Sequence, residues 1–176
     1  MTARTPHRTT ALGALLLLSA AAGCGNAVNT EIVGMTGLTA DASGAPVVIV
    51  APCGGAVDRI TVHKLIDLAS ATPGATTPLV TELRASTPHT DLISVSLVDP
   101  APGWSASAPF DPALQDRINI AAFASDADRT TTSLVVTRAD YEQVSADRVL
   151  VREAEVWTRA EFDRRACDPA TWPSPS

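Results

Sequence analysis

Apolar residues follow three different patterns along this chain, and each predicts a different kind of element. From Ala11 to Ala22 they run together without periodicity, "ALGALLLLSAAA". After residue 35 they mostly alternate. "DLISVSLV" places Ile93, Val95 and Leu97 on one side and Ser94 and Ser96 on the other, the period of a half-buried strand. "TTTSLVVT" repeats the pattern at Thr132, Leu134 and Val136, and "RINIAAF" repeats it at Ile118 and Ile120. "APVVIVAP" is wholly apolar, β-branched and bounded by prolines, which predicts a central strand. The preceding "TADASGAP" supplies turn residues, so Met35 to Thr39 and Pro46 to Ala51 are predicted to form a hairpin. "SDADRT" predicts a turn between strands near Phe123 and Thr132, and "VTELRA" and "DRVLVRE" complete about eight short strands.

The third pattern is helical. In "TRAEFDRRAC", Thr158 and Glu161 stand at capping-box spacing and Arg164 and Arg165 fall in the last turn, where they complement the helix dipole. Pro169, Pro173 and Pro175 forbid continuation. "VDRITVHKLIDLA" suits both periods: Ile60 and Val62 alternate, while Val57, Ile60, Lys64, Leu65 and Leu68 also fit a helix; strand is the reading adopted. The longest irregular stretch runs from Asp99 to Pro112. Short strands separated by turn signals predict a mainly β fold, an antiparallel immunoglobulin-like β-sandwich with a short C-terminal helix.

The aperiodic N-terminal run reads as an export signal rather than as a folding element. Arg4 and Arg8 precede it, small residues follow it, and it is short of the ~20 residues that cross a bilayer as a helix. No adjacent arginine pair points to a twin-arginine route. Ala21-Ala22-Gly23-Cys24 resembles the lipobox of bacterial lipoproteins, in which the cysteine is lipidated on its sulfur and becomes the mature N-terminus. Ala21 stands where Leu is usual, and "SAA" and "AAA" also fit A-x-A, so cleavage by an ordinary signal peptidase is the alternative. The predicted organisation is a signal peptide over 1–23, a lipid-anchored tether over 24–34, a β-sandwich domain over 35–168 and a flexible Pro-rich tail over 169–176. A lipoprotein cysteine carries at least two acyl chains, enough for durable anchoring at the extracytoplasmic face of the cell membrane.

Cysteine parity changes the picture further. Cys24, Cys53 and Cys167 are an odd number, and lipidation of Cys24 leaves Cys53 and Cys167 as one pair for a disulfide in an oxidising compartment. A redox-active thiol at Cys53 is the alternative, but no Cys-x-x-Cys partner stands near it. Removing Arg4 and Arg8 with the signal leaves 11 basic residues against 19 acidic, a net charge of −8. That balance disfavours nucleic acid and polybasic recognition of lipid head groups.

The block "GLTADASGAPVVIVAPCGGAVDRITVH", together with "SLVVTRADYEQV", resembles small exported lipoproteins of high-GC bacteria, in which such a hairpin leads to a cysteine in a Gly-rich turn and the later segment closes an immunoglobulin-like sheet. The resemblance implies fold and location and carries no activity.

Candidate chemistry is sparse. "GWSAS" holds Gly103 and Ser105 at nucleophile-elbow spacing, but Ser107 replaces the final Gly and prolines flank the stretch. An envelope hydrolase using Ser105 with His89 and Asp91 is therefore a competing reading. His89 and Asp91 do not make a closed zinc site, and Asp126 and Asp128 are explained as well by an acidic turn as by calcium, so no metal and no cofactor is expected. Trp104 and Phe110, two of few aromatics, lie in one proline-rich loop and form a candidate partner-binding surface; capping of the open end of the sandwich is the competing account. The expected function is a non-catalytic binding or structural role in the envelope, with the membrane and an envelope protein or ligand as partners. A lipoprotein with a small-molecule or lipid pocket between the sheets is a further alternative.

Overall fold

The computed structural model describes residues 30–66, 76–124 and 129–172. In chain order the strands are β1 (Glu31–Ala40), β2 (Pro46–Pro52), β3 (Val57–Lys64), β4 (Leu79–His89), β5 (Ile93–Ser96), β6 (Trp104–Ala106), β7 (Arg117–Phe123), β8 (Arg129–Thr132), β9 (Leu134–Thr137), β10 (Arg148–Arg152) and β11 (Glu155–Thr158). Two short helices, α1 (Arg138–Tyr141) and α2 (Arg159–Arg165), complete the fold. The protein is mainly β, as its periodicity predicts.

The strands form one curled sheet, a half-barrel with two wings. One wing runs β5-β2-β1-β10-β11 and the other runs from β9 and β8 through β7-β3-β4-β6. β1 joins them, because one of its edges pairs with β2 while its other edge pairs first with β8 and then with β10. The expected hairpin is present, with Met35 opposite Ala51 and Thr39 opposite Val47. "VDRITVHK" is a strand, paired on both sides by β4 and β7; Leu68, which its helical alternative required, lies outside the described residues. The turn "SDADRT" also lies partly outside them, but β7 and β8 pair antiparallel with Phe123 opposite Thr130.

The expectation of a purely antiparallel sheet fails at the joint, since β1 and β8 run parallel. Alternation predicts which side of a strand is buried and carries no information on the direction of its neighbour. At this joint the hydrogen bonding is partly taken over by buried threonines. The Thr36 and Thr131 hydroxyls share a hydrogen bond, the Thr36 N–H donates to Thr132 Oγ1 (3.3 Å), and the Ala122 N–H donates to Thr131 Oγ1 (3.3 Å). Buried polar groups are tolerated where each has such a partner.

The wings enclose one core. Leu38, Val48, Val50 and Leu150 of the first meet Ile60, Leu83, Ile118 and Leu134 of the second. The first wing is also covered on its outer face, where Met35, Ile49, Val149 and Val151 pack under Trp157, Phe162 and Ala166. This accounts for the unbroken apolar run "VVIVA": Val48 and Val50 face the shared core, while Ile49 and Ala51 face α2. The helix begins as its sequence predicts, with Thr158 Oγ1 accepting from the Glu161 N–H (3.1 Å) and the Glu161 carboxylate accepting from the Thr158 N–H (2.8 Å). Bonds from the backbone and hydroxyl of Thr158 hold the Glu161 carboxyl below its usual range. The stability this adds is present above the ordinary carboxylate pKa and fades as pH falls through the lowered one.

Two expected boundaries move. β1 begins at Glu31, four residues inside the expected tether over 24–34, because Glu31 and Ile32 find partners on β8. Of the tail expected over 169–176, the described residues 169–172 pack back on the domain. Pro169–Thr171 forms a 3-10 turn, Thr171 O accepts from Arg152 (2.5 Å), and the Trp172 indole N–H donates to Ala166 O (2.8 Å). A proline that ends a helix does not prevent the following residues from packing back.

Tight packing under α2 generates a test. A methyl group built on Gly37 of β1 would lie 2.5 Å from Val149 Cγ1 and 3.1 Å from Leu150 O. Gly37→Ala is expected to destabilise the domain by ~1–3 kcal/mol through overpacking. Urea denaturation of the two proteins checks this.

Candidate functional site

Cys53 follows β2 and Cys167 follows α2, so the fold brings together two residues that are 114 apart in sequence. They form a disulfide with Cα atoms 5.2 Å apart. The redox-thiol alternative for Cys53 therefore gives way to a cross-link that ties α2 to the β2 end of the first wing. Beside it opens a cleft of about 220 Å³ bounded by Pro52, Thr90, Asp91, Leu92, Phe162 and Asp163. Leu92 is 41% exposed on its rim, and Asp91 and Asp163 place two carboxylates there. A second cleft of about 150 Å³ lies on the outside of the joint, lined by Thr132, Ser133, Val135, Arg152 and Glu153. Both are smaller than the ~300–1,000 Å³ of typical small-molecule sites. Both open on the outside of the half-barrel, while large apolar side chains from both wings occupy the space between them.

The proline-rich stretch from Asp99 to Pro112 is more ordered than its composition suggests. Gly103 adopts φ 93°, a left-handed conformation favourable to glycine, and turns the chain into β6. β6 then lies along β4, with Trp104 opposite Ala85 and Ser105 opposite Arg84. Ser86 N–H donates to Gly103 O (2.8 Å) and Ser107 N–H to Glu82 O (2.8 Å), which extends the pairing beyond the strand.

This arrangement separates the expected site residues. Phe110 is 4% exposed and belongs to the shared core, so the sequence expectation that it helps form a partner-binding surface is corrected. Its loop is held against β4, where Thr81 Oγ1 donates to Ala108 O (2.7 Å), and the aromatic ring gains more by packing in the core than by facing solvent. Trp104 is half-buried, packs against the same core and stacks on His89, with ring centroids 5.4 Å apart and planes 8° apart. Only part of its surface faces outward. Ser105 is exposed, and its hydroxyl donates to Arg84 O (3.4 Å). Among the described residues no hydrogen bond joins Ser105 to His89, whose ring lies against Trp104. Arg84 pairs with Glu82 (2.6 Å) on this edge, its own side chain exposed and that of Glu82 partly covered.

No group of three or more His, Cys, Asp or Glu side chains is placed to hold a metal among the described residues. Asp126 and Asp128 lie outside them, as does Cys24. Sequence reasoning missed Tyr141, whose hydroxyl is buried without a hydrogen-bond partner among the described residues. Burial, and then the charge of Asp140, push its pKa above the usual phenol range. No periodicity signal could have found it, since it ends a four-residue helix whose position depends on β9. Comparison with protein-family models, with curated proteins and with solved structures finds no match to this chain.

Two outcomes are expected. Trp104→Ala should cost about 1–2 kcal/mol, less than the ~3–5 kcal/mol of a fully buried aromatic, and the same denaturation series should show the difference. Because the Cys53–Cys167 loop spans most of the domain, the chain-entropy model assigns roughly 4–5 kcal/mol to the bridge. Reduction should accordingly lower the melting temperature, and non-reducing peptide mapping should recover one peptide pair containing both cysteines.

Proposed function

We propose that this protein is a lipid-anchored component of the cell envelope, held at the extracytoplasmic face of the membrane through Cys24, with a non-catalytic binding or structural role. The observation that carries the reading is the Cys53–Cys167 bridge, which leaves Cys24 as the one cysteine without a disulfide partner. A cross-link of this kind suits an oxidising compartment, in keeping with the export signal that precedes Cys24. The two wings facing one another across a shared core support the layered part of an immunoglobulin-like description, and the parallel β1–β8 pair marks a departure from it.

The non-catalytic reading is favoured over a hydrolase because Ser105 bonds to a backbone carbonyl and His89 lies against an indole. Nucleophile and base must reach hydrogen-bond distance for acyl transfer. The outward part of Trp104 and the cleft beside the disulfide are the surfaces proposed to meet an envelope protein or ligand.

Intact-mass measurement of protein extracted from membranes tests the anchor. The mature chain should begin at Cys24 and carry at least two acyl chains, and Cys24→Ala should either release the protein or leave its precursor unprocessed. A soluble mature chain with a free thiol at Cys24 would refute the reading.

A further inference from the structure

We propose that the open edge of β5 is a docking site for an extended segment of an envelope protein, one with apolar residues at alternate positions and a Lys or Arg at each end, which adds to the first wing as a further strand. This rests on the binding role proposed above and deepens it by naming the surface and the chemistry of the partner. β5 pairs with β2 alone, so among the described residues no strand lies along its other edge. The register shows which backbone groups reach that edge. Leu97 N–H donates to Pro46 O (3.0 Å), and pairs along an antiparallel ladder alternate between hydrogen-bonded and not, so the backbone groups of Ile93 and Val95 turn toward β2. Those of Ser94 and Ser96 turn outward. Beyond Ser96 the chain bends, and the Ser96 hydroxyl accepts from the Val98 and Asp99 N–H groups (3.3 and 3.1 Å), which fixes that end of the edge.

The side chains distinguish this edge from the others. A charge or a proline usually guards an exposed strand, and neither occurs from Leu92 to Val98. Leu92 and Val98 are 41% and 47% exposed, two of the three large apolar side chains exposed among the described residues; β6, β9 and β11, which also have an open edge among those residues, carry none. Just beyond them stand Asp91 and Asp99, both exposed. The cleft beside the disulfide adjoins the Asp91 end, and Asp163, paired with Arg159 (3.1 Å), also lines it. Main-chain hydrogen bonds give an added strand its affinity, and the two carboxylates complement cations at its ends. A second copy of this chain fits less well. Antiparallel pairing about Val95 sets Asp91 of one copy opposite Asp99 of the other, and like charges directly opposite are destabilising.

The test uses the full mature protein extracted in detergent and a fluorescent synthetic peptide, Lys-Leu-Val-Thr-Val-Thr-Val-Leu-Lys, with a second peptide that has Glu at both ends. The Lys-ended peptide should bind roughly tenfold more tightly than the Glu-ended one, and it should slow hydrogen exchange at the Ser94 and Ser96 amides. Asp91→Lys combined with Asp99→Lys, at two exposed positions, should reverse the preference. Ser94→Pro removes an N–H that β2 does not use, and proline is tolerated where a strand's N–H faces outward, so this variant should melt nearly as the parent does and lose both peptides. No binding to the parent protein, exchange slowed elsewhere and not in β5, or binding that survives Ser94→Pro overturns the proposal. Should Ser94→Pro fail to fold, the double variant decides, and an unchanged preference overturns the proposal. Concentration-dependent dimers in sedimentation that Ser94→Pro abolishes assign the edge to a second copy instead. Acylation of Cys24 is read separately by mass, so failure at this edge leaves the anchor standing.

Discussion

The centre of the first wing, strands β1, β2 and β10, is buried on both faces, and the rest of the structure depends on that constraint. A strand with one wet face needs apolar residues only at alternate positions, but "VVIVA" on β2 offers them at every position and leaves none for solvent. Its inner side is covered when the sheet curls and brings β3, β4 and β7 across it. Its outer side needs a second cover, which α2 supplies through Phe162 and Ala166. The helix is only 7 residues long, too short to be stable by itself. Three things hold it: the Thr158–Glu161 cap at one end, the apolar contacts in the middle and the disulfide at the other end.

The same constraint explains where glycine and threonine occur on β1. Gly37 lies under α2 beside Val149 and Ile49, where a larger residue would push the helix cover away. Thr36 faces the other way, into the joint, where β1 exchanges one neighbour for another and a regular ladder cannot continue. Hydroxyls can bond to a backbone group or to each other, so Thr36, Thr131 and Thr132 supply hydrogen bonds across the joint. The curl of the sheet and the double coverage of its first wing are thus parts of one packing solution.

That solution leaves limited surface for recognition. The edge formed by β6 is three residues long, which limits edge-to-edge pairing there. Trp104 packs part of its ring against the core and leaves part exposed, so its role in holding the fold and any role in contacting a partner are coupled. The cleft beside the disulfide is bounded by α2, and its shape depends on the bridge staying oxidised.

Much of this was legible in the residues. Period-two alternation located Ile93, Val95 and Leu97, and Leu134 and Val136, on the buried side, because a strand's geometry is local and each side chain's face follows from its position in the alternation. Thr158 and Glu161 marked the start of α2 for the same reason, since a capping box needs only four consecutive residues. Cysteine parity pointed to the Cys53–Cys167 pair without any knowledge of distance. What depended on which strand lies beside which was not legible: the parallel β1–β8 pair, the break between β8 and β9, the burial of Phe110 and the stacking of His89 on Trp104. Those contacts join residues from separate elements, and they were decided by the competition among whole faces for a single core, which only the tertiary structure resolves.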